Sequence, residues 1–359
     1  MMPAPPFRRF PPQASFMQKL FRSIVPASLL LLALPLAAHA APPAPALRVL
    51  SSLPLGGTGG WDYLSFDAAH RHLFVSRGDR VLVIDVDRQR QVGTIAGTDG
   101  VHGIALAPAL GRGFTSNGKA AAVTEFDLAT LKTVATISGT GKKPDAIVYD
   151  PASHHVLTFN GDSDSASVID PARGRVIATI ALPGRPEFAV SDGAGHVYVN
   201  LEDKSELVQL DTASDKVLQV WPLAPCRSPS GLAIDVRRRR LFSVCDNRLM
   251  AVTDAGDGRQ VASVPIGNGP DAVVFDAATS TIYSSNGDSG TITAVHEDGP
   301  DRYRVVATIP SQVSARTLAL DPRLHRLYLS AARQGKTRQA NGWPTIEPGS
   351  FAILTVGRP

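Results

Sequence analysis

The sequence predicts an all-β fold, a seven-bladed β-propeller with four-stranded antiparallel blades, from three observations. A phrase recurs seven times at intervals of roughly forty residues. KPDAIVYDPASHHVLTFN from Lys143 and GPDAVVFDAATSTIYSSN from Gly269 each contain a strand, an Asp-led turn and a second strand. Four β-rich stretches per unit, separated by Gly, Asp and Pro turns, are typical of a propeller blade, and no long helical periodicity follows residue 40.

The repeat also predicts how the ring closes. Ala107-Pro108 replaces the turn aspartate in the second unit, and the other six are Asp67, Asp150, Asp192, Asp235, Asp276 and Asp321. The seventh unit ends with FAILTV from Phe351 and lacks a fourth strand, whereas LRVLSSLPLGG from Leu47 has the fourth-strand pattern before the first unit. We therefore expect the N-terminal strand to complete the last blade, which removes free sheet edges. Residues 41–359 are predicted to form this one domain.

Residues 1–40 have the pattern of a secretory signal peptide. Lys19 and Arg22 precede an apolar run over residues 24–38, and Ala38-His39-Ala40 is an A-x-A cleavage site. Met17 lies near the start of this pattern, so residues 1–16 are open to interpretation as an over-extended start. A membrane anchor is the alternative, but the run is shorter than a ~20-residue span. We expect a periplasmic protein without stable membrane insertion after cleavage.

Charge argues against a nucleic-acid binder. The chain has 36 Lys and Arg against 32 Asp and Glu. Residues 1–40 hold four of the basic side chains and no acidic ones, so the remainder is formally neutral. A nucleic-acid-binding domain normally carries a strong positive field. We instead expect a monomer that binds a small ligand or a protein partner.

The two cysteines, Cys226 and Cys245, predict one disulfide in an exported protein. In the repeat, Cys226 precedes the innermost strand of the fifth unit and Cys245 ends the neighbouring strand, so a bridge is geometrically reasonable. A catalytic thiol would need a neighbouring histidine, and the repeat indicates none.

The repeated phrase resembles the YVTN-type repeats of the YncE-like periplasmic β-propeller family. The matching segments are GKKPDAIVYD from Gly141, HVYVN from His196, GNGPDAVVFD from Gly267 and PGSFAILTV from Pro348. The resemblance implies a seven-bladed propeller and export. It implies no reaction and only suggests binding.

One column of the repeat predicts a polar channel mouth. Links between blades, and the loops joining second and third strands, share one end of a propeller, which we name the top face; the Asp-led turns form the bottom face. The start of the innermost strand falls five residues before each turn mark. That column, here named the channel mouth, reads Asp62, His102, Asp145, Glu187, Ser230, Asp271 and Arg316. Crowded carboxylates repel unless they are protonated, paired with a cation or bound to a metal. The alternative is that each aspartate only caps a turn.

Two other top-face features stand out. The loop from Ala331 to Ser350 is far longer than its counterparts, and a long loop in one blade is usually functional or disordered. It places Trp343 near Trp61, where an aromatic pair above the mouth would clamp a ligand. A lid over the closure seam is the alternative. The loops at Asn160–Ser163 and Asn286–Ser289 are ordinary hairpin turns.

Bottom-face histidines and arginines predict less. The histidines occupy related columns in different blades, so we expect turn roles for His70, His72, His154, His155, His196 and His325. Only the local pair of His70 and His72 suggests a metal site. Arg237–Arg240 lies in one turn and is expected to be solvated, with an anionic partner as the alternative.

The sequence is compatible with three functions. The first is an exported non-catalytic propeller that binds a ligand or protein partner through the channel mouth, with the two tryptophans. The sequence contains no phosphate loop, nucleophile elbow or metalloprotease histidine pair, which favours this interpretation. The second is a lactonase-like hydrolase or lyase in which a divalent cation activates water. Its metal ligands would be Asp62, Asp145, Glu187 and Asp271, with His102 as the acid or base. The third, polyanion binding, rests on Arg237–Arg240 alone.

Overall fold

The alternating apolar residues of each repeat form strands in the computed structural model, which describes residues 46–339, 342 and 344–359. The strands are β1 Arg48–Pro54, β2 Leu64–Asp67, β3 His72–Arg77, β4 Arg80–Asp85, β5 Arg90–Ile95, β6 Val101–Ala107, β7 Arg112–Asn117, β8 Ala122–Asp127, β9 Thr133–Ser138, β10 Pro144–Asp150, β11 His155–Asn160, β12 Ser165–Asp170, β13 Arg175–Ala181, β14 Pro186–Ser191, β15 His196–Leu201, β16 Glu206–Asp211, β17 Lys216–Pro222, β18 Pro229–Asp235, β19 Arg240–Cys245, β20 Leu249–Asp254, β21 Gln260–Pro265, β22 Pro270–Asp276, β23 Thr281–Asn286, β24 Thr291–Gly299, β25 Arg302–Pro310, β26 Leu318–Asp321, β27 Arg326–Ala331, β28 Gln334–Arg338, β29 Pro344–Ile346 and β30 Ala352–Gly357.

Seven four-stranded antiparallel sheets follow in chain order, so the predicted blades are confirmed. Blades 1 to 6 are β2–β5, β6–β9, β10–β13, β14–β17, β18–β21 and β22–β25. The seventh has the order β26-β27-β30-β1, and β1 pairs antiparallel with β30 from Arg48 opposite Gly357 to Pro54 opposite Ala352. The expected closure by the N-terminal strand is therefore confirmed. Within the described ranges, the helical content is one 3-10 turn, Pro108–Leu110, at the turn where the second unit lacks aspartate.

The core lies between adjacent blades. Phe74 of blade 1 and Phe126 of blade 2 are fully buried, with ring centroids 5.3 Å apart. Phe242 and Phe275 also meet between blades 5 and 6, with ring centroids 5.6 Å apart. Because each blade buries one face against the next, a ring of seven blades shields apolar surface that no single blade could bury alone.

The repeated aspartates stabilise turns. Asp67 and Asp150 are buried, and their carboxylates accept backbone N–H bonds from Ala69 at 2.9 Å and Ser153 at 2.9 Å. Asp321 does the same for Arg323 at 3.0 Å. These side chains replace backbone hydrogen bonds that the sharp turn cannot make, so the most repeated residue of the sequence is a scaffold residue.

Side chains as well as strands hold the closure seam. The buried guanidinium of Arg77 lies over the Phe351 ring at 4.0 Å and donates to the carbonyl oxygens of Gly56, Gly59 and Gly60. Burial, with Arg80 nearby, lowers the pKa of Arg77 to about 10. Arg77 therefore ties blade 1 to the segment that follows the closing strand.

The predicted disulfide is present between Cys226 and Cys245, with Cα atoms 5.6 Å apart. The long loop of blade 7 is not wholly irregular, because it contains the two-stranded hairpin β28–β29. Among the described residues, no helix is long and apolar enough to cross a bilayer. The predicted signal peptide and Trp343 lie outside the described residues.

Candidate functional site: an acidic channel mouth

The structure brings most of the channel mouth together. His102 Nδ1 lies 2.6 Å from Asp62 Oδ2 and 3.6 Å from Asp145 Oδ1. Arg316 lies on the other side, with its guanidinium nitrogens 3.8 Å from Asp62 Oδ1 and 3.3 Å from Asp271 Oδ2. Blades 1, 2, 3, 6 and 7 each supply one of these side chains, so ring closure itself assembles the site.

Backbone hydrogen bonds fix the positions of the mouth residues. The carbonyl of Asp62 accepts a bond from Thr317 Oγ1 at 2.6 Å, and that of Ser230 accepts one from Asn200 Nδ2 at 2.8 Å. Ser116 donates to the Asp145 carbonyl, and Ser285 donates to the Arg316 carbonyl. In each case the donor belongs to the preceding blade.

These donors were missed from the sequence. Ser116, Asn200 and Ser285 share one column near the end of the second strand, and that column was a usable signal. Buried hydroxyl and amide donors at one repeat position indicate a recurring link to the next blade.

Gly118 leaves space for the His102 ring. A Cβ atom on Gly118 would lie 3.0 Å from Cδ2 and Nε2 of the His102 ring, closer than ordinary contact. Gly118 follows β7 and leaves the imidazole room to lie against the loop backbone. The ring then presents Nδ1 to the carboxylates of Asp62 and Asp145.

Two aspartates of the mouth, Asp145 and Asp271, resist ionisation. Loss of hydration, strengthened by the charge of Asp62, raises the pKa of Asp145 to about 6. Loss of hydration also raises the pKa of Asp271 to about 6, and it outweighs the attraction of Arg316.

The pKa of Glu187 is also raised. Burial is the largest cause of the shift, and the negative charges of Asp145, Glu202 and Asp271 follow. Together they raise the pKa of Glu187 well above its usual value. Among the described residues, its side chain has no hydrogen-bond or ion-pair partner. Burial and the neighbouring negative charges therefore favour either a proton on Glu187 or a cation beside it.

Positive charge offsets the carboxyls only partly. Burial lowers the pKa of His102, but the hydrogen bond that its ring donates to Asp62 and the charge of Asp145 act in the opposite direction, and the net shift is upward. Lys143 Nζ lies 4.0 Å from Asp145 Oδ2, at the rim, with its side chain 41% exposed. Within the described part of the chain, Arg316 is the one permanent cation that pairs with two of the four carboxyls.

Two aromatic rings cross the channel just below the mouth, and neither was predicted from the sequence. Tyr63 follows Asp62, Phe188 follows Glu187, and their ring centroids are 5.0 Å apart although blades 1 and 4 lie on opposite sides of the ring. Burial and the charges of Asp145 and Glu187 raise the pKa of Tyr63, so its hydroxyl stays protonated. Glycine or alanine occupies this position in most other copies of the repeat, and that departure was the available signal.

An apolar cavity of about 380 Å³ lies inside the channel. Tyr63 and Phe188 form part of its wall, as do Ala272 and Thr317, which directly follow the mouth residues Asp271 and Arg316. Its other end reaches residues that precede the bottom-face turns, Phe66, Val190, Ile234, Phe275 and Leu320. The cavity therefore extends along the innermost strands from the mouth towards the bottom face.

The predicted metal ligands fall into two sets. Ligand atoms of Asp62, His102 and Asp145 all lie within 4.8 Å of one another, a spacing that one cation can span. Asp271 instead pairs with Arg316, and Glu187 is not in that group. The candidate metal set in the structure thus contains two of the four predicted carboxylates plus His102.

Trp61 lies at the closure seam. Its ring packs on Phe351 with centroids 5.5 Å apart, and its carbonyl accepts a bond from Arg316 at 3.1 Å. Its buried indole nitrogen has no hydrogen-bond partner within the described residues. The structure therefore ties Trp61 to the mouth through Arg316, while the pairing with Trp343 stays a prediction.

Bottom-face polar groups mostly support turns. His70 and His196 bond through Nδ1 to Asp67 at 2.7 Å and Asp192 at 2.9 Å, as expected for turn residues. His70 stacks on His72, with ring centroids 6.0 Å apart.

The Arg237–Arg240 turn is largely neutralised. Arg238 pairs with buried Glu297 at 2.5 Å, and Arg240 pairs with Asp254 at 2.7 Å and Asp301 at 2.9 Å. These internal ion pairs take up much of the charge on which polyanion binding depended.

Sequence comparison connects the chain with YncE. No protein-family model matches the chain. Two relatives, each described as uncharacterized protein YncE, come from Salmonella typhi and Salmonella typhimurium. Each is 25% identical over 177 residues, which is 47% of this chain and 48% of the relative. The match therefore spans about half the length of these curated relatives.

Solved structures show the same architecture. The RRP9 WD40 repeats give a TM-score of 0.72 at 14% identity, covering 87% of this chain and 99% of that one. U3-55K gives 0.72 at 13% identity (86% and 98%), and hydrazine synthase of Kuenenia stuttgartiensis gives 0.66 at 16% (82% and 95%). At these identities the likeness shows the fold alone. The chain is a seven-bladed β-propeller, and its expected resemblance to the YncE-like propellers is confirmed.

Proposed function

We propose that this protein is an exported, non-catalytic binding propeller whose channel mouth holds the cationic group of a small ligand or a protein partner. The observation that carries the proposal is Glu187, a desolvated carboxyl among like charges and without a partner among the described residues. Glu187 is partly exposed, so a cation from solution can reach it, and a carboxyl among like charges is stabilised by either a proton or a cation. A positively charged ligand replaces the proton and relieves the repulsion.

The surroundings of Glu187 support a cation over an anion. Asp145 and Asp271 also hold their protons more tightly than ordinary aspartates, because both are desolvated. Low-dielectric walls strengthen the attraction between an entering cation and these groups relative to bulk water. Arg316 pairs with Asp62 and Asp271 and its positive charge also acts on Glu187, yet the pKa of Glu187 stays raised.

Export is part of the proposal. The leader pattern before residue 41 supports it, and the disulfide supports it independently because such bonds persist in oxidising compartments. Detection of the protein in a periplasmic fraction, with an N-terminus near Ala41, tests this part. Retention in the cytoplasm with reduced cysteines would contradict it.

Calorimetric titration of the purified protein with n-butylammonium tests the binding proposal, with butyrate as the anionic control. We expect saturable binding of the ammonium and none of the carboxylate. Glu187→Gln should weaken binding at least tenfold, because a neutral amide replaces the carboxylate that would pair with the cation.

The matched control is Asp99→Asn, which removes an exposed top-face carboxylate that pairs with Lys119 outside the mouth. This variant should bind n-butylammonium as the wild type does. Equal affinity of the wild type and the Glu187 variant would overturn the proposal.

A second candidate function rests on the group of Asp62, His102 and Asp145. These ligand types and their mutual distances suit a divalent cation that activates water, as in a lactonase-like hydrolase or lyase. Elemental analysis and thermal shifts with Ca²⁺, Mg²⁺, Mn²⁺ and Zn²⁺ test it. A bound metal that Asp62→Asn and Asp145→Asn remove would favour this function, and the absence of any metal-induced shift would reject it.

A further inference from the structure

We propose that the cationic ligand also has an apolar body, so that the mouth holds its ammonium group while the channel cavity takes its hydrocarbon part. This inference rests on the proposed function and names the class of ligand, an alkyl- or arylalkylammonium. It follows from the position of the apolar cavity relative to the carboxyls.

Continuity between the mouth and the cavity is the first step. Four cavity-lining residues directly follow mouth residues in the sequence: Tyr63 after Asp62, Phe188 after Glu187, Ala272 after Asp271 and Thr317 after Arg316. The upper end of the cavity therefore begins where the carboxyl-bearing positions end. A ligand anchored by its charge has its body at the entrance of the cavity.

The shape of the channel gives the second step. Tyr63 and Phe188 meet across the channel, and residues of blades 1, 4, 5, 6 and 7 line the cavity. Ala272 and Thr317, which are smaller than the two aromatic residues, line it at the positions that follow Asp271 and Arg316. From Ala272 to Phe275 the wall runs for three residues, about 10 Å along a strand. That length suits a chain of several methylenes.

The chemistry of the wall gives the third step. Val190, Ile234 and Leu320 are aliphatic, and they are only partly buried although they lie in the innermost strands. Tyr63 and Phe188 offer aromatic faces just below the mouth, where a cation is attracted to a ring. The cavity volume of about 380 Å³ lies in the range of small-molecule sites, roughly 300–1,000 Å³. Charge above and apolar wall below complement an amphiphilic cation.

A chain-length series on the wild-type protein tests the inference directly. Methyl-, butyl- and hexylammonium differ only in apolar length, and hexanol and hexanoate supply the same chain without the positive charge. Each methylene that enters the cavity should tighten binding about fourfold, since burying one CH₂ is worth ~0.8 kcal/mol. Hexanol should bind weakly and hexanoate should not bind.

A variant that fills the cavity provides a second test. Val190→Phe narrows the channel, and Val236→Phe is the matched control because Val236 is 52% exposed in a bottom-face turn. We expect Val190→Phe to weaken hexylammonium binding at least tenfold and to leave methylammonium unchanged, with no effect from Val236→Phe. Circular dichroism and melting curves confirm that each variant folds. If Val190→Phe does not fold, the chain-length series alone decides.

The outcomes separate the inference from the proposed function. Equal affinities across the series, with Glu187→Gln still weakening them all, would overturn the inference and leave cation binding at the mouth intact. Failure of every ammonium to bind would reject both. A steep chain-length dependence that Glu187→Gln does not affect would also reject both, because the charged group would then not lie at the mouth.

Discussion

Cation binding at the mouth should be strongly linked to pH, and this linkage follows from the carboxyl pKa values. Asp145 and Asp271 have pKa values of about 6, raised by desolvation. A carboxyl with this pKa is about one-tenth ionised at pH 5 and about nine-tenths ionised at pH 7. If the complex requires the ionised form, each carboxyl raises the association constant about tenfold between these pH values.

The combined effect is therefore an increase of about one-hundredfold in n-butylammonium affinity from pH 5 to pH 7 if both groups ionise in the complex. The ligand stays charged throughout, like a lysine side chain of pKa ~10.4. His102, whose net pKa shift is upward, loses positive charge as pH rises and acts in the same direction. Glu187 adds to the dependence because its pKa is also raised.

Calorimetry in two buffers of different ionisation enthalpy measures both the affinity and the protons released. At pH 5.5 we expect between about one and three protons to leave for each cation bound. The Asp99→Asn variant should reproduce the wild-type value, because that exposed carboxylate lies outside the mouth. Affinity that is independent of pH, with no proton release, would show that cation binding is not linked to ionisation of the mouth carboxyls.

Three further predictions concern stability. The folded state holds the Glu187 proton more tightly than the unfolded chain, so the free energy of unfolding of the wild type should fall relative to that of Glu187→Gln as the pH rises above ~4.3, by at most ~1.4 kcal/mol per pH unit. Chemical denaturation at pH 4, 6 and 8 measures this difference, and a difference that does not change with pH would contradict the raised pKa of Glu187. Removing the disulfide with Cys226→Ala and Cys245→Ala together should reduce the free energy of unfolding by about 3 kcal/mol, and an unchanged urea midpoint would contradict this value. Deleting residues 45–55 removes the strand that pairs with β30 and should abolish cooperative unfolding, whereas a sharp transition in the deletion variant would reject the closure.

Much of the fold was predictable because it is periodic. The turn aspartates, the four strands of each blade and the missing fourth strand of the last unit all follow from comparing copies of one phrase. The disulfide was also predictable, since Cys226 and Cys245 fall at neighbouring positions of the repeat. These features depend on local pattern and strand order, which a repeat displays directly.

The site was predictable as a column but not as a set of contacts. That Arg316 pairs with Asp62 and Asp271, while His102 pairs with Asp62, depends on side-chain directions that sequence spacing does not contain. Tyr63 and Phe188 meet because blades 1 and 4 face each other across the ring, a distance set by closure and not by the sequence near either residue. The apolar cavity arises in the same way, from five blades jointly.

The proposed function requires that the channel mouth bind a cation through its desolvated carboxyls. Titration of n-butylammonium into the wild type, Glu187→Gln and Asp99→Asn at pH 7 tests it most directly. We expect binding to the wild type and Asp99→Asn with the same affinity, and at least tenfold weaker binding to Glu187→Gln. Identical binding to all three proteins, or binding to none, would contradict it.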